Sequence, residues 1–308
     1  MRGDFCIQLD VQLSTQWKSY LVTDTTGRDP KVFRARKRFG QHFLQDRHVT
    51  DRIVSSIAIE PGQVIVEIGP GLGALTAPLL ARTEHLHVVE LDRDLAARLA
   101  ERFSAQLQNG TLSLHTADAL TFDFAGLTSI GRPLRIVGNL PYNISTPLLF
   151  HLLSQSRYIR DMHIMLQREV ANRISAPPCS ADYSRLSVMV QWHCLVQRLF
   201  EVGSGAFSPP PRVTSAVVRL SIRKVPPAHV SNREVLGQLV AQAFSHRRKT
   251  LRNCLRGWLT EDEILAAGVD PGARPETLDL GQFAGLANRV TESGKISTEF
   301  LAQPSRNQ

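Results

Sequence analysis

The sequence has only four cysteines among 308 residues, and their spacing suits neither a metal site nor a disulfide framework. None of them forms a C-x-x-C pair, and no histidine cluster accompanies them; they are Cys6, Cys179, Cys194 and Cys254. Zinc sites and disulfide-rich folds need such close or repeated spacings. We therefore expect no bound metal, reduced thiols and a cytoplasmic location.

Long apolar runs are missing as well. No stretch of about 18 apolar residues occurs, so no membrane span is expected. Residues 1–30 lack the basic start and the apolar segment of a secretory signal. A hydrophobic fraction of 43% is still ample for a packed core, and the length suits a large domain with a smaller one.

The charge is strongly positive, with a net charge of +8 and a pI of about 9.7. A basic balance suits a polyanionic partner, either nucleic acid or an anionic membrane surface. Many basic proteins bind neither, so the charge alone does not decide.

Hydrophobic periodicity divides the chain into three parts. Residues 1–33 show little periodicity, which predicts a disordered extension. In residues 34–223 short apolar strands alternate with helices, which predicts a Rossmann-like α/β sheet of about seven strands with helices on both faces. After a proline-containing linker, residues 224–308 predict a small all-helical C-terminal domain.

The positions of a few elements bear on the site. Leu134–Val137 predicts the fourth strand, which Gly138 should end. Val188–Val196 and Ala216–Ile222 predict the last two strands, and no helical stretch separates them, so they should form an antiparallel edge. Arg247–Trp258 predicts a helix in the C-terminal part.

A glycine-rich loop follows the first predicted strand. Gly69, Gly71 and Gly73 form a G-x-G-x-G pattern, and Glu67 precedes the first of them by two positions. Glycines there let the backbone turn sharply and approach a ligand closely. The dinucleotide fingerprint is G-x-G-x-x-G, so this spacing favours the adenosyl cofactor of a methyltransferase over a nicotinamide cofactor.

Two further acidic residues end the next two strands. Glu90 ends the second and can accept hydrogen bonds from both ribose hydroxyls of either cofactor class. Asp118 ends the third and can accept a hydrogen bond from an adenine amino group. Singly, each acid is more simply a helix cap or a surface charge. Together at the carboxyl edge of a parallel sheet, they favour a ligand site.

The tetrapeptide Asn139-Leu-Pro-Tyr142 follows the fourth strand and indicates the chemistry. The exocyclic amine of adenine is a poor nucleophile, because its lone pair is delocalised into the ring. The side-chain oxygen of Asn139 and the carbonyl of Leu140 can each accept one amine hydrogen, which aims the lone pair at a methyl group. Tyr142 offers a face on which an extruded base can stack. The alternative is an ordinary Asn-x-Pro turn.

A second aromatic residue begins a proline-rich loop, Phe207 to Ser215. Phe207 can enclose the base from the other side, or it can be a buried anchor for the loop. The residues alone favour the anchor.

These motifs, in this order, resemble the ribosomal RNA small-subunit adenine dimethyltransferases, the kasugamycin-sensitivity enzymes of bacteria. The resemblance runs from about residue 36 to residue 288. The matching segments are Lys37–Leu44, the glycine loop, Glu90–Asp92, Asn139–Tyr142, Phe207–Pro211, Ser215–Leu220 and Arg247–Arg252. One departure is His42, which stands where many relatives have asparagine.

The resemblance implies a substrate, a cofactor and a set of contacts. The substrate is a pair of adjacent adenines in a hairpin near the 3′ end of small-subunit (16S) ribosomal RNA, free or in an assembling 30S particle, each dimethylated on N6. The residues implied to contact S-adenosylmethionine are His42, Leu44, Gly69, Glu90, Asp118 and Asn139, with Gly71 in the same loop. Those implied to serve the adenine are Asn139, Leu140, Tyr142 and Phe207. We expect a monomer.

Basic residues in the C-terminal part suit RNA phosphates. Arg248, Arg252 and Arg256 recur every four residues and should share one helix face, with Arg247 and Lys249 beside them. A solvated helix surface is the plainer alternative. The overall charge and the basic cluster at residues 34–38 favour RNA.

Three other functions fit part of the pattern. A small-molecule methyltransferase would keep the glycine loop without needing the basic C-terminal part. An RNA-binding assembly or transcription factor would have no need of Gly71, Glu90 and the intact Asn139–Tyr142 motif. A nicotinamide-dependent dehydrogenase is disfavoured by the glycine spacing.

Overall fold

A computed structural model describes residues 41–128, 132–246 and 248–294. The extension predicted for residues 1–33, the basic cluster at residues 34–38 and Arg247 lie outside these ranges. The strands are β1 Phe43–Leu44, β2 Val64–Ile68, β3 Leu86–Glu90, β4 Leu112–Thr116, β5 Leu134–Asn139, β6 Ile159–Gln167, β7 Cys194–Val202, β8 Phe207–Ser208 and β9 Ser215–Ile222. The α-helices are α1 Arg47–Ile57, α2 Thr76–Leu80, α3 Arg93–Arg102, α4 Ser104–Gln108, α5 Ser145–Ser154, α6 Arg168–Ser175, α7 Arg185–His193, α8 Arg233–Ala243, α9 Leu251–Cys254, α10 Glu261–Ala266 and α11 Leu280–Ser293.

Seven strands form one mixed sheet in the order β4-β3-β2-β5-β6-β9-β7, which confirms the predicted α/β class and strand number. Neighbours from β4 to β6 are parallel, whereas β9 runs antiparallel to both β6 and β7. The strand order reverses between β2 and β5. Ligands bind at the carboxyl ends of strands beside such a reversal, so the topology alone marks the site.

Two apolar layers cover the sheet. Ile65 and Val66 are neighbours on β2 and fully buried, yet they belong to different core clusters, because successive strand residues point to opposite faces. Helices α1, α2 and α3 pack on one face, and α5, α6 and α7 pack on the other.

A third core lies in the C-terminal part, where α8 to α11 pack together. Helix α7 joins this core to the sheet: Leu186 and Val190 contact the sheet layer, whereas Val188 and Trp192 contact the helical core. In the described part of the chain, no helix is long and apolar enough to cross a membrane.

The strand predicted at Val188–Val196 is wrong for its first six residues. Helix α7 extends to His193, and β7 begins only at Cys194. The helix is apolar on two sides, because it lies between two cores. Its apolar residues therefore do not recur with the 3.6-residue period of a surface helix, and their spacing resembles the alternation of a strand. The antiparallel pairing predicted for the last two strands is confirmed, with β9 inside the sheet and β7 at the edge.

The fourth strand does not end at Gly138. β5 continues to Asn139, and Gly138 pairs with Ile68 on one side and Ile164 on the other. A Cβ atom at position 138 would lie 2.6 Å from the carbonyl oxygen of Ile68. Glycine is therefore needed there for close strand packing, not as a strand terminator.

The helix predicted at Arg247–Trp258 is wrong in extent, since α9 is a single turn. The backbone N–H groups of Leu251 and Arg252 donate to the carbonyls of Ala273 and Pro271, so the turn begins against that loop. Buried leucines recur every four residues in this segment and imitate a long helix; they are Leu251, Leu255 and Leu259.

The basic residues of this segment consequently share no helix face. Arg248 precedes α9 and Arg256 follows it, although both are exposed, as are Lys249 and Arg252. Arg252 lies 3.8 Å from the carboxylate of Glu261.

A buried polar cluster joins α1 to the sheet. Arg135 on β5 makes two hydrogen bonds to the carboxylate of Asp161 on β6, at 2.9 and 2.8 Å. It also donates to the carbonyls of Ile57 and Ala58 at the end of α1, at 2.6 and 3.1 Å. A cation at a helix C-terminus interacts favourably with the helix dipole. The cluster therefore fixes α1, which directly follows β1.

Candidate active site

A cavity opens at the carboxyl ends of β2, β3 and β5, where the strand order reverses. Its wall brings together residues that lie up to 103 positions apart in the sequence, from Gln41 to Ile144. The predicted residues found there are His42, Leu44, Glu67, Gly69, Gly71, Glu90, Asp118, Asn139, Leu140 and Tyr142.

The glycine loop forms one side of this cavity. Gly71 has a φ of +57°, a backbone conformation that favours glycine. A Cβ atom there would lie 2.9 Å from the ring of Phe43, so a side chain would also displace the β1 segment. The Gly71 N–H donates to Oε2 of Glu90 at 3.3 Å, which links the loop to the end of β3.

The two acids at the strand ends are each held by backbone N–H groups. Glu90 is only 7% exposed, and its Oε1 accepts from the N–H of Asp92 at 2.9 Å. Burial raises the pKa of the Glu90 carboxyl, and its backbone hydrogen bonds oppose that rise. Oδ1 of Asp118 accepts from the N–H of Leu120 at 2.9 Å. Oδ2 of Asp118 accepts no hydrogen bond from the described residues, so it is open to a ligand.

Glu67 is the most deeply buried acid of the cavity. Its carboxyl accepts a hydrogen bond of 2.6 Å from the hydroxyl of Thr76. Burial, with a smaller contribution from the charge of Glu90, raises the pKa of Glu67 to about 8. At neutral pH the carboxyl is therefore largely protonated, and a cation entering the cavity would favour its ionisation.

This pKa predicts a pH-dependent stability. In the unfolded chain Glu67 ionises near its ordinary pKa of 4.5, whereas in the folded chain it ionises near 8. The folded state therefore keeps the proton longer, and Glu67 should cost stability as pH rises from about 4.5 to 8, by up to about 1.4 kcal/mol per pH unit. The test is urea unfolding of the wild type and of Glu67→Gln, a variant that keeps the acceptor for Thr76. The free energy of unfolding of the wild type should fall relative to that of the variant as pH rises over this range. A constant difference would contradict the raised pKa.

Asn139 and Leu140 form the opposite side of the cavity. The side-chain Nδ2 of Asn139 donates to the carbonyl of His42 at 3.0 Å. This bond fixes the orientation of the amide and does not use its oxygen, Oδ1. The Leu140 N–H donates to the carbonyl of Met165 at 3.2 Å. Among the described residues, none donates to Oδ1 of Asn139 or to the carbonyl of Leu140. Two neighbouring residues of the cavity wall therefore each keep an acceptor to which no described residue donates.

The two aromatic residues predicted to serve the base lie in different surroundings. Tyr142 is half-buried in the cavity wall, and its hydroxyl forms a hydrogen bond of 2.6 Å with the hydroxyl of Ser215. Burial raises the pKa of Tyr142, so it stays neutral. Phe207 is 4% exposed, pairs with Leu44 between β8 and β1, and packs in a core cluster instead of the cavity wall. This placement is that of an anchor, and a contact of Phe207 with a base stays a prediction.

The cavity wall also contains residues that the sequence patterns did not single out. Leu91 follows Glu90 and is 47% exposed, which is unusual for a large apolar side chain and suits a flat ring. Gln41 donates to the carboxylate of Asp92 at 3.2 Å and joins the segment before β1 to the start of α3. The sequence did contain a signal for Leu91, because it directly follows Glu90, an acid at the end of a strand.

Of the predicted RNA-contacting residues, the three that the structure describes do not line this cavity. Arg248, Lys249 and Arg252 are exposed around α9, in the C-terminal helical part. Their contact with RNA stays a prediction.

Known proteins match most of this chain. The family described as Ribosomal RNA adenine dimethylase matches residues 32–292. A relative named Ribosomal RNA small subunit methyltransferase A, from Alcanivorax borkumensis, is 52% identical over 84% of this chain and 91% of its own. One of the same name from Pseudomonas aeruginosa is 53% identical over 84% of this chain and 96% of its own. The crystal structure of a dimethyladenosine transferase from Plasmodium falciparum is similar, with a TM-score of 0.69, 25% identity, and coverage of 82% of this chain and 98% of that one.

Proposed function

The chain belongs to the ribosomal RNA adenine dimethylase family, and from this premise we propose that it transfers methyl groups from S-adenosylmethionine to the N6 amines of two adjacent adenines. These adenines lie in a hairpin near the 3′ end of small-subunit ribosomal RNA, and the reaction accompanies assembly of the small subunit. We further propose that the protein acts as a monomer.

The residues around the glycine loop suit S-adenosylmethionine, which supplies an electrophilic methyl group when bound. Gly71 turns the loop at a positive φ, where a Cβ atom would collide with Phe43. Oδ2 of Asp118, which accepts no hydrogen bond from the described residues, can accept from an adenine amine. Glu90 would accept from the ribose hydroxyls, and Leu91 would pack against the adenine ring. The positive charge of the bound cofactor would favour loss of the Glu67 proton to water.

The remaining contacts to the cofactor come from the segment before α1 and from the strand ends. His42 and Leu44 lie in the cavity wall beside Gly69 and Asn139. The hydrogen bond between Asn139 and the carbonyl of His42, and the pairing of β1 with β8, position His42, Leu44 and Asn139 together. The Gly69 N–H donates to the carbonyl of Val89 at 3.0 Å.

The target adenine binds at the Asn139–Leu140 corner. Its two amine hydrogens are accepted by Oδ1 of Asn139 and by the carbonyl of Leu140, so the nitrogen becomes tetrahedral and its lone pair points at the methyl group. Tyr142 stacks on the base, and its hydrogen bond to Ser215 keeps the ring in place. Positioning and preorganised hydrogen bonds carry the catalysis. Once the bond from N6 to the methyl group has formed, the cationic nitrogen loses one proton to water, so no side chain has to act as a general base.

The pair of unoccupied acceptors beside the cofactor cavity is the observation that carries this proposal. It is tested with a short hairpin RNA containing the two adenines and radiolabelled S-adenosylmethionine. We expect methyl transfer to this RNA, and none to the same hairpin with purine riboside, which lacks the amine, at both positions. Equal labelling of the two hairpins would contradict it, as would a folded, cofactor-binding protein that labels neither the adenine hairpin nor unmethylated 30S particles.

We further propose that residues 224–308 form an RNA-binding domain beside the methyltransferase domain of residues 34–223. Arg248, Lys249 and Arg252 are exposed there and suit phosphates, with Arg247 next to them in the sequence. They form a basic patch on α9 and the loop before it, because α9 is too short to carry all of them on one helix face.

The double variant Arg248→Glu/Arg252→Glu should therefore weaken RNA binding. For this variant, the slope of log K for RNA binding against log salt concentration should become less steep by about one for each phosphate contact that is lost. The matched control is Arg157→Glu/Arg160→Glu, which changes the net charge equally at exposed positions on the amino side of β6. The RNA affinities of the two double variants are measured by titration at several salt concentrations. Equal slopes would mean that the basic residues around α9 form an ordinary solvated surface.

A further inference from the structure

The face of Tyr142 is already in contact with another ring of the protein. The imidazole of His42 stacks on the Tyr142 ring, with 5.6 Å between the ring centroids and 29° between the planes. Both residues line the same cavity. His42 Nδ1 lies 2.8 Å from the carbonyl of Pro209 and donates to it, since a carbonyl only accepts.

A base does not fit between these two rings. Aromatic pairs in direct contact have centroids about 4.5–7 Å apart, so a separation of 5.6 Å leaves no space for a third ring. Tyr142 cannot retreat readily, because its hydroxyl is bound to Ser215 at the start of β9. A purine that stacks on this face of Tyr142 must therefore take the position of the imidazole.

We propose that His42 is a gate residue: its imidazole covers the stacking face of Tyr142 in the free protein and leaves when the target adenine enters. This inference rests on the proposed function. It assigns His42 a role toward the RNA base, in addition to its place in the cofactor cavity, as a positioning residue that sets the affinity for the extruded adenine.

The way in which His42 is held suits such a gate. Its backbone carbonyl accepts from Asn139, which keeps the segment and the catalytic amide in place. Its side chain is held among the described residues by one hydrogen bond and one ring contact. Rotation about the Cα–Cβ bond therefore removes the imidazole from Tyr142 without disturbing Asn139.

The test compares His42→Ala, His42→Asn and His42→Phe, all of which keep the backbone carbonyl that Asn139 needs. At saturating S-adenosylmethionine, we expect His42→Ala and His42→Asn to lower the KM for the hairpin RNA by about 3–10-fold, because no ring competes for Tyr142. The cofactor is kept saturating, so that the separate contact of His42 with S-adenosylmethionine does not enter the comparison of KM values. His42→Phe keeps an aromatic ring, so its KM should not fall below that of the wild type.

Binding is measured independently of chemistry with 2-aminopurine at the target position, whose fluorescence reports unstacking of the base. The Kd should follow the same order as the KM, while calorimetry with S-adenosylmethionine and circular dichroism show that each variant is folded and binds cofactor.

The outcomes separate this inference from the proposed function. If the wild type is active but the KM and Kd of His42→Ala rise or stay constant, the gate is refuted and the proposed function stands. A rise would mean that His42 packs on the side of Tyr142 away from the base and supports it there. No methyl transfer by the wild-type protein would remove the proposed function and the gate together.

Discussion

Replacing Asn139 with alanine is expected to lower the turnover of methyl transfer by about 10²–10³-fold, the loss typical of one preorganised catalytic hydrogen bond. The variant removes Oδ1, one of the two acceptors for the adenine amine. It also removes the donor to the carbonyl of His42. The nitrogen then keeps its planar, delocalised lone pair, which attacks a methyl group poorly.

Single-turnover rates with the hairpin RNA measure this effect directly, because they separate the chemical step from product release. Calorimetry should show a much smaller loss in S-adenosylmethionine affinity. Asn109→Ala is the matched control: it makes the same change in an exposed turn before β4, at the opposite edge of the sheet. Near wild-type single-turnover rates in Asn139→Ala would refute the role of this amide.

The second large effect is on stability. Asp161→Ala should lower the free energy of unfolding by about 3–5 kcal/mol, because it leaves the guanidinium of Arg135 buried without its carboxylate. Arg135 is 4% exposed and Asp161 is 7% exposed, so water cannot replace the lost partner.

The neighbouring histidine cannot compensate for that loss. His163 lies 3.8 Å from Asp161, but burial and two nearby arginines lower its pKa to about 4, so it is neutral at pH 7. Its Nε2 accepts from Nε of Arg219 at 2.8 Å, as a neutral imidazole does. Asp161 therefore balances the charge of Arg135 alone.

Urea unfolding tests this with two further variants. Glu169→Ala breaks an exposed pair with Arg173 and should cost less than about 1 kcal/mol. Replacing both buried partners, as in Arg135→Met/Asp161→Leu, should recover much of the loss, because no charge is then left unpaired. Equal effects of Asp161→Ala and Glu169→Ala would contradict a buried ion pair.

The parts of the fold that were predictable depend on local patterns. β2 and the glycine loop follow from a short apolar run and from glycine spacing, which need no information about distant residues. The acids at the ends of β3 and β4 could be placed at one edge because parallel strands end together. These rules were enough to predict most of the cavity wall.

The rest depends on contacts between distant segments. The strand predicted in place of α7 failed because two cores bury opposite sides of that helix. The start of α9 is fixed by hydrogen bonds to the loop at Pro271–Ala273. The contact of His42 with Tyr142 joins residues 100 positions apart. Nor does a pattern of hydrophobicity show that the charged residue of β5, Arg135, finds its partner on β6.

One measurement tests the central claim most directly: mass-spectrometric mapping of small-subunit ribosomal RNA from cells that lack their own enzyme, with and without this protein. Two neighbouring adenines near the 3′ end should each gain two methyl groups on N6 when the wild-type protein is present, and remain unmodified with Asn139→Ala. Unmodified adenines with the folded wild-type protein, or methyl groups on another atom or base, would contradict the account.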